Sequence, residues 1–138
     1  MDAQTGAVGD GDPIDVIELG DTPLPMGSVV PVRVLGSLAL IDEGETDHKI
    51  LVIRDSDDRY ASVGSLQDLD RLKPHTLSRL IDWLKNYKTS DGKPANKFKS
   101  EVPTTAVEAI QIVQEVNQFY NNLKAGQVAD APDDYVLV

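Results

Sequence analysis

The sequence predicts an α+β fold, with strands first and helices after. Three observations lead there. Short β-branched and aliphatic runs, each broken by Gly or Pro, fill the chain up to Ile53. After Asp55 the apolar period changes to 3.6 residues, and two helical stripes follow, at 77–87 and 107–123. The 138 residues suffice for one domain with one sizeable core, and 41% hydrophobic with 26% charged residues separates the chain from disordered or collagen-like sequences.

The elements can be justified in order. The opening MDAQTGAVG is small and polar and reads as loop, and Ile14, Val16, Ile17 and Leu19 predict a short strand ended by Gly20, Pro23 and Pro25. Ser28 to Leu35 form a β-branched run with Pro31 inside it, which favours an edge or a bulge; Gly36 breaks or bends the run, and Leu38 to Ile41 continue it. Ile50 to Ile53 predict another strand, and the DEGETDHK insert before it predicts a hairpin loop centred on Gly44. Residues 65–73 predict a short helical turn. Pro74 stands where a first helical position belongs, ahead of a stripe of Leu77, Leu80, Ile81, Leu84 and Tyr87. TSDGKPANKF, 89–98, reads as a turn-rich loop. A second long helix is expected from Thr104 or Thr105, with Thr105 and Glu108 at capping-box spacing, a core face of Val107, Ile110, Val113, Val116, Tyr120 and Leu123, and Gly126 as its stop. Residues 127–138 carry no firm signal and are expected to form a flexible tail. Three or four strands are few for a closed barrel.

Thirteen Lys and Arg against 23 Asp and Glu give a net charge of −10, which argues against nucleic-acid binding and against a basic membrane-surface module. The excess is concentrated: residues 1–47 carry −9 and residues 48–138 only −1, a first hint of a cation site. The chain has no cysteine, so disulfides and thiolate metal sites are excluded. No apolar stretch approaches a membrane span and no signal-peptide pattern opens the chain, so a soluble intracellular protein is the default expectation.

Three constellations could carry chemistry. In Asp10-Gly11-Asp12-Pro13-Ile14-Asp15, three carboxylates within six residues repel one another unless cations sit among them. Taken alone, a polar turn leading into a strand remains the better reading. A calcium loop fails, because Asp15 and Asp21 occupy the positions that need Gly and Glu. In the second constellation, 42–49, a hairpin would stand Asp42 opposite Asp47, with Lys49 on the face of Asp47 and His48 on the other. A solvated acidic hairpin tip is as good a reading of that stretch by itself. Third, Tyr87 and Lys88 could hydrogen-bond and neutralise a phosphate oxygen, although an apolar stripe ending in a helix-terminal cation explains them more simply. His48 and His75 lack ligand spacing and receive no role. Clustered aspartates without His or Cys favour hard cations such as Mg²⁺ or Mn²⁺, and together with Lys and Tyr they fit metal-assisted hydrolysis of a phosphoanhydride.

These residues carry a family resemblance. GDGDPIDVIELG (9–20), GSLALIDEGETDHKILVI (36–53), NYK (86–88) and DGKPANKF (91–98) resemble the soluble inorganic pyrophosphatases of the first family, eukaryotic branch, over most of residues 7–125. The resemblance implies an OB-type β-barrel, incomplete here, with two packing helices. It implies Mg²⁺-dependent hydrolysis of inorganic pyrophosphate to two phosphates by metal-activated water, with Mn²⁺ as an alternative cation. By the same match, Asp10, Asp15 and Asp47 correspond to ligands of the tightest metal site, Asp42 and Asp47 hold metals arriving with substrate, and Asp12 orients or deprotonates the attacking water. Lys49, Tyr87 and Lys88 correspond to phosphate-gripping groups and Glu43 supports the cluster. The family further implies a homodimer at full length; a cytoplasmic protein that binds neither nucleic acid nor membrane is expected, an organellar form not being excluded.

The chain also departs from that pattern. Upstream of the DGDPxD motif the family has barrel strands bearing a Glu, a Lys-x-Glu pair, an Arg and tyrosines, whereas nine residues stand there in this sequence. Residues 1–138 are therefore expected to be a single domain forming the C-terminal portion of the fold and to turn over pyrophosphate poorly alone. The competing expectations are a non-catalytic fragment that binds metal or phosphate, and an acidic interaction module.

Overall fold

A computed structural model describes residues 13–42 and 44–124. The order is β1 (Asp15–Glu18), β2 (Val32–Asp42), β3 (Glu45–Arg54), α1 (Leu66–Leu72), α2 (Thr76–Asn86), β4 (Lys97–Phe98) and α3 (Ala106–Lys124). The strands form one open sheet in the order β1-β3-β2-β4, with β1 parallel to β3 and the other pairs antiparallel.

The long hairpin of β2 and β3 organises the rest. Its ladder runs from Val32 opposite Arg54 to Asp42 opposite Glu45, interrupted once by a bulge between Val34 and Gly36. The extra residue puts Leu35 into the same core as Leu38 and Leu40. Gly36 is required there, because a Cβ would lie 2.5 Å from the Thr104 carbonyl oxygen and 2.6 Å from Leu66 Cδ1. Leu38, Leu40, Leu51 and Ile53 build the core with Leu66 and Leu69 of α1 and Leu84 of α2, while Leu77, Leu80 and Ile81 pack against it, as the helical stripe predicts. Each such leucine stabilises the fold by about 1.5–3 kcal/mol when fully buried. Ser37 has the opposite strand parity, and its hydroxyl meets that of Thr104 at 2.6 Å just before α3, which packs against β2.

Several expectations need correction. The strand expected from Ser28 begins at Val32, because Ser28 closes a turn on Pro25 at 3.1 Å through Gly27 (φ 83), so Pro31 precedes the strand. The acidic insert is mostly strand: β3 starts at Glu45, and Gly44 takes the positive φ of 82° that a short hairpin turn needs. In that register Asp42 stands opposite Glu45 and Asp47 opposite Leu40, so Asp42 and Asp47 do not face each other. Pro74 is not a first helical residue, since His75, with φ 70, turns the chain and α2 starts at Thr76. The loop 89–98 contains a short β4, whose Lys97 and Phe98 pair with Ile41 and Leu40.

In α3 the capping box forms as expected: the Thr105 N–H donates to Glu108 Oε2 at 3.0 Å, and the Glu108 N–H donates to Thr105 Oγ1 at 3.3 Å. The packed face is rotated from the expected one. Ala109 is fully buried, whereas Val107 is 67% and Ile110 41% exposed. A small alanine lets the helix approach the sheet closely, and counting only large apolar residues misses that. Val116 and Tyr120 are also exposed. Gly126 and the tail 127–138 lie outside the described residues. No helix among the described residues is long and apolar enough to cross a membrane.

Candidate active site

The charged site grows out of the core face of the sheet. Parallel pairing of β1 with β3 sets Asp15 beside Lys49 and Ile17 beside Leu51. Strand alternation then carries the face of Leu51 and Ile53 back through Lys49 to Asp47. Across the hairpin, Leu38 is paired with Lys49 and Leu40 with Asp47. The apolar core therefore ends in a charged group at one end of the sheet.

Within that group the Lys49 ammonium donates to Asp15 Oδ2 and lies 2.9 Å from Asp47 Oδ2. The side chains of Lys49 and Asp47 are 11% and 17% exposed, and that of Asp15 is 56% exposed. Burial penalises the charged lysine, but its hydrogen bonds to the Asp15 and Asp47 carboxylates, with their charges, outweigh it and hold the ammonium above the usual lysine range. Lys49 is thus a fixed positive charge between two carboxylates that approach from separate strands. His48 occupies the intervening position of β3, on the other face, as alternation predicts.

Asp42 closes β2 beside this group, in register with Glu45. Asp10, Asp12 and Glu43 lie outside the described residues. Tyr87 and Lys88 follow the last turn of α2, where the Lys88 ammonium lies 5.5 Å from the centre of the Tyr87 ring. The Tyr87 ring in turn stacks on Trp83, with centroids 5.0 Å apart and planes at 18°. Trp83 has no signal in the sequence for this stack beyond its i, i+4 spacing to Tyr87.

Segment 96–104 joins the end of α2 to the sheet. The Asn96 side-chain amide donates to the Leu84 carbonyl at 2.9 Å, and its backbone N–H donates to the Lys85 carbonyl at 2.8 Å. Lys97 and Phe98 then pair with β2, the Lys99 N–H donates to the Ala39 carbonyl at 2.9 Å, and the Thr104 N–H donates to the Ser37 carbonyl at 2.9 Å. The end of α2 and the carboxylate end of the hairpin are therefore linked by one continuous set of hydrogen bonds, from the Asn96 side chain and from the main chain.

The donor set suits a hard cation, since Asp15 and Asp47 offer carboxylate oxygens that already converge on a positive charge. Among the described residues no group of three acidic or imidazole side chains is assembled. Asp15 and Asp47 would thus be part of a metal site, and Asp15 is the last residue of the DGDPxD motif in the sequence. A separate open cleft of about 290 Å³ is lined by Glu18, Asp21, Lys73, Thr76 and Arg79 and contains none of the expected site residues.

Comparison with known proteins fits this geometry. Residues 3–121 match the family described as inorganic pyrophosphatase. The chain is 40% identical over 129 residues to the soluble inorganic pyrophosphatase 6, chloroplastic, of Arabidopsis thaliana, covering 93% of this chain and 43% of that protein. It is 40% identical over 123 residues to the inorganic pyrophosphatase of Mus musculus, covering 88% of this chain and again 43% of the relative. In three dimensions it is similar to N-terminal domain truncated Trypanosoma cruzi vacuolar soluble pyrophosphatase in complex with PPi, with TM-score 0.83, 33% identity, and coverage of 87% of this chain and 46% of that one. The chain thus spans under half the length of each of these three relatives. The strand pairing that brings Asp15, Asp47 and Lys49 together lies inside the matched region, and the chain belongs to the inorganic pyrophosphatase family.

Proposed function

We propose that this chain carries the carboxylate-rich part of an active site that hydrolyses inorganic pyrophosphate to two phosphates. The observation that carries the reading is the meeting of Asp15 and Asp47 at Lys49, from two strands, in a member of this family. Asp10, Asp15, Asp42 and Asp47 would hold divalent cations, Mg²⁺ first and Mn²⁺ as a substitute. Bound there, such cations lower the pKa of water toward neutrality and screen substrate charge. Asp12 accepts the proton of the attacking water. Lys49, Tyr87 and Lys88 bind phosphate oxygens and stabilise the charge that builds on the leaving phosphate, while Glu43 supports the carboxylate cluster. In this reading the full-length protein is a cytoplasmic homodimer.

The test is calorimetric titration of the chain with Mg²⁺, then with methylenediphosphonate in excess Mg²⁺. Asp47→Asn is expected to weaken the first step and Lys49→Ala mainly the second. Binding of neither cation nor diphosphonate by the folded wild-type chain would leave the acidic interaction module as the better account.

A further inference from the structure

Asn96 lies in the loop expected to be mere connection, yet it makes two of the contacts that end α2. The last carbonyls of a helix have no partner within the helix. Here those of Leu84 and Lys85 accept from the Asn96 side chain and main chain. Tyr87 and Lys88 begin two residues beyond Lys85. The Lys85 ammonium also pairs with Glu101 of the same returning segment. On the other side of Asn96, Lys97 and Phe98 pair with Ile41 and Leu40, and Leu40 stands opposite Asp47.

We infer that Asn96 is a positioning residue for phosphate binding: it fixes the end of α2 so that Tyr87 and Lys88 are held in place relative to the carboxylate end of the β2–β3 hairpin. The inference rests on the reading of Tyr87 and Lys88 as phosphate-binding groups. The chemistry is specific to the amide. An aspartate at this position would present an acceptor to the Leu84 carbonyl, and the half-buried site would gain a repulsion where it had a donor. Only the side-chain bond is lost in that variant, because the main-chain bond to Lys85 survives any substitution but proline.

The chain supplies its own reporter. Trp83 is the single tryptophan and stacks on Tyr87, so its emission senses where Tyr87 sits. The probe is methylenediphosphonate, titrated in saturating Mg²⁺ and followed by Trp83 fluorescence. Asn96→Asp is expected to weaken diphosphonate binding about tenfold, the effect of one hydrogen bond. Mg²⁺ affinity without the anion, measured by calorimetry, stays at the wild-type value, because the carboxylates on β1 and β3 are untouched.

Leu69→Val, in the core cluster that includes Leu84, lowers stability but leaves both Asn96 hydrogen bonds in place. It is expected to bind the diphosphonate as wild type does. Should Asn96→Asp fail to fold, Asn96→Ser keeps a hydroxyl donor on a shorter stem and is expected to bind more weakly than wild type. Wild-type affinity in the folded Asn96 variant overturns the inference, and so does an equal loss in Leu69→Val. Lys88→Ala separates the two levels. Diphosphonate binding that depends on Lys88 but not on Asn96 overturns only the positioning role. A wild-type chain with no response to the anion overturns both.

Discussion

Asp47 is the residue on which the two halves of the site depend. It shares Lys49 with Asp15 and faces Leu40 across the hairpin, whereas Glu45 stands at the turn opposite Asp42. Asp47→Asn is therefore expected to weaken Mn²⁺ binding by about tenfold or more, and Glu45→Gln by much less, as read by calorimetry. Equal losses would mean that the acidic hairpin acts as diffuse charge. A second residue-scale prediction concerns acid stability. Arg59 donates to both oxygens of Asp57, and this hydrogen bonding, against a smaller burial penalty, holds the carboxyl below the usual carboxylate range. A group with a lowered folded pKa stabilises the fold above its unfolded value of about 3.9 and ceases to do so as pH falls through the folded value. Asp57→Asn should accordingly cost about 1–2 kcal/mol at neutral pH and flatten the loss of stability below about pH 4, measured by urea unfolding across pH.

At the scale of elements, much was legible because each signal was local. The 3.6-residue stripe finds α2, the Thr105–Glu108 spacing finds the start of α3, and alternation puts Asp47 and Lys49 on one face. What failed depended on tertiary contact. The face of α3 is set by how closely Ala109 approaches the sheet, and the length of the hairpin is set by a turn at Gly44 that lets polar residues continue as strand. Position 36 is set by Thr104 and Leu66, residues remote in sequence. Gly36→Ala should destabilise the fold by about 1–3 kcal/mol through overpacking, whereas Val107→Ser should change stability by less than about 0.5 kcal/mol, both read from urea midpoints. A large loss in Val107→Ser would restore the face that periodicity alone predicts.

Over the whole molecule, the order of three strands before the helices was readable, with β4 between α2 and α3 as the exception, but the pairing that brings Asp15 to Lys49 was not. Asp15 reaches Lys49 only because β1 adds in parallel to β3, and no periodicity in the chain encodes that choice. Among the described residues the sheet is open, with β1 and β4 at its edges, and the chain spans 43% of the length of its mouse relative. With Lys49, Tyr87 and Lys88 as the proposed phosphate-binding groups on a chain of this coverage, slow turnover is expected, because removing one preorganised donor typically costs about 10²–10³ in rate. The most direct measurement is phosphate release from pyrophosphate by the purified, mass-verified 138-residue chain with Mg²⁺, beside its Asp47→Asn variant. The account predicts slow release that requires Mg²⁺, falls to the metal-only blank in Asp47→Asn, and is at least about 10² below that of the mouse relative assayed alongside. Release that is unchanged by Asp47→Asn, or none above the blank in the wild-type chain, would contradict it.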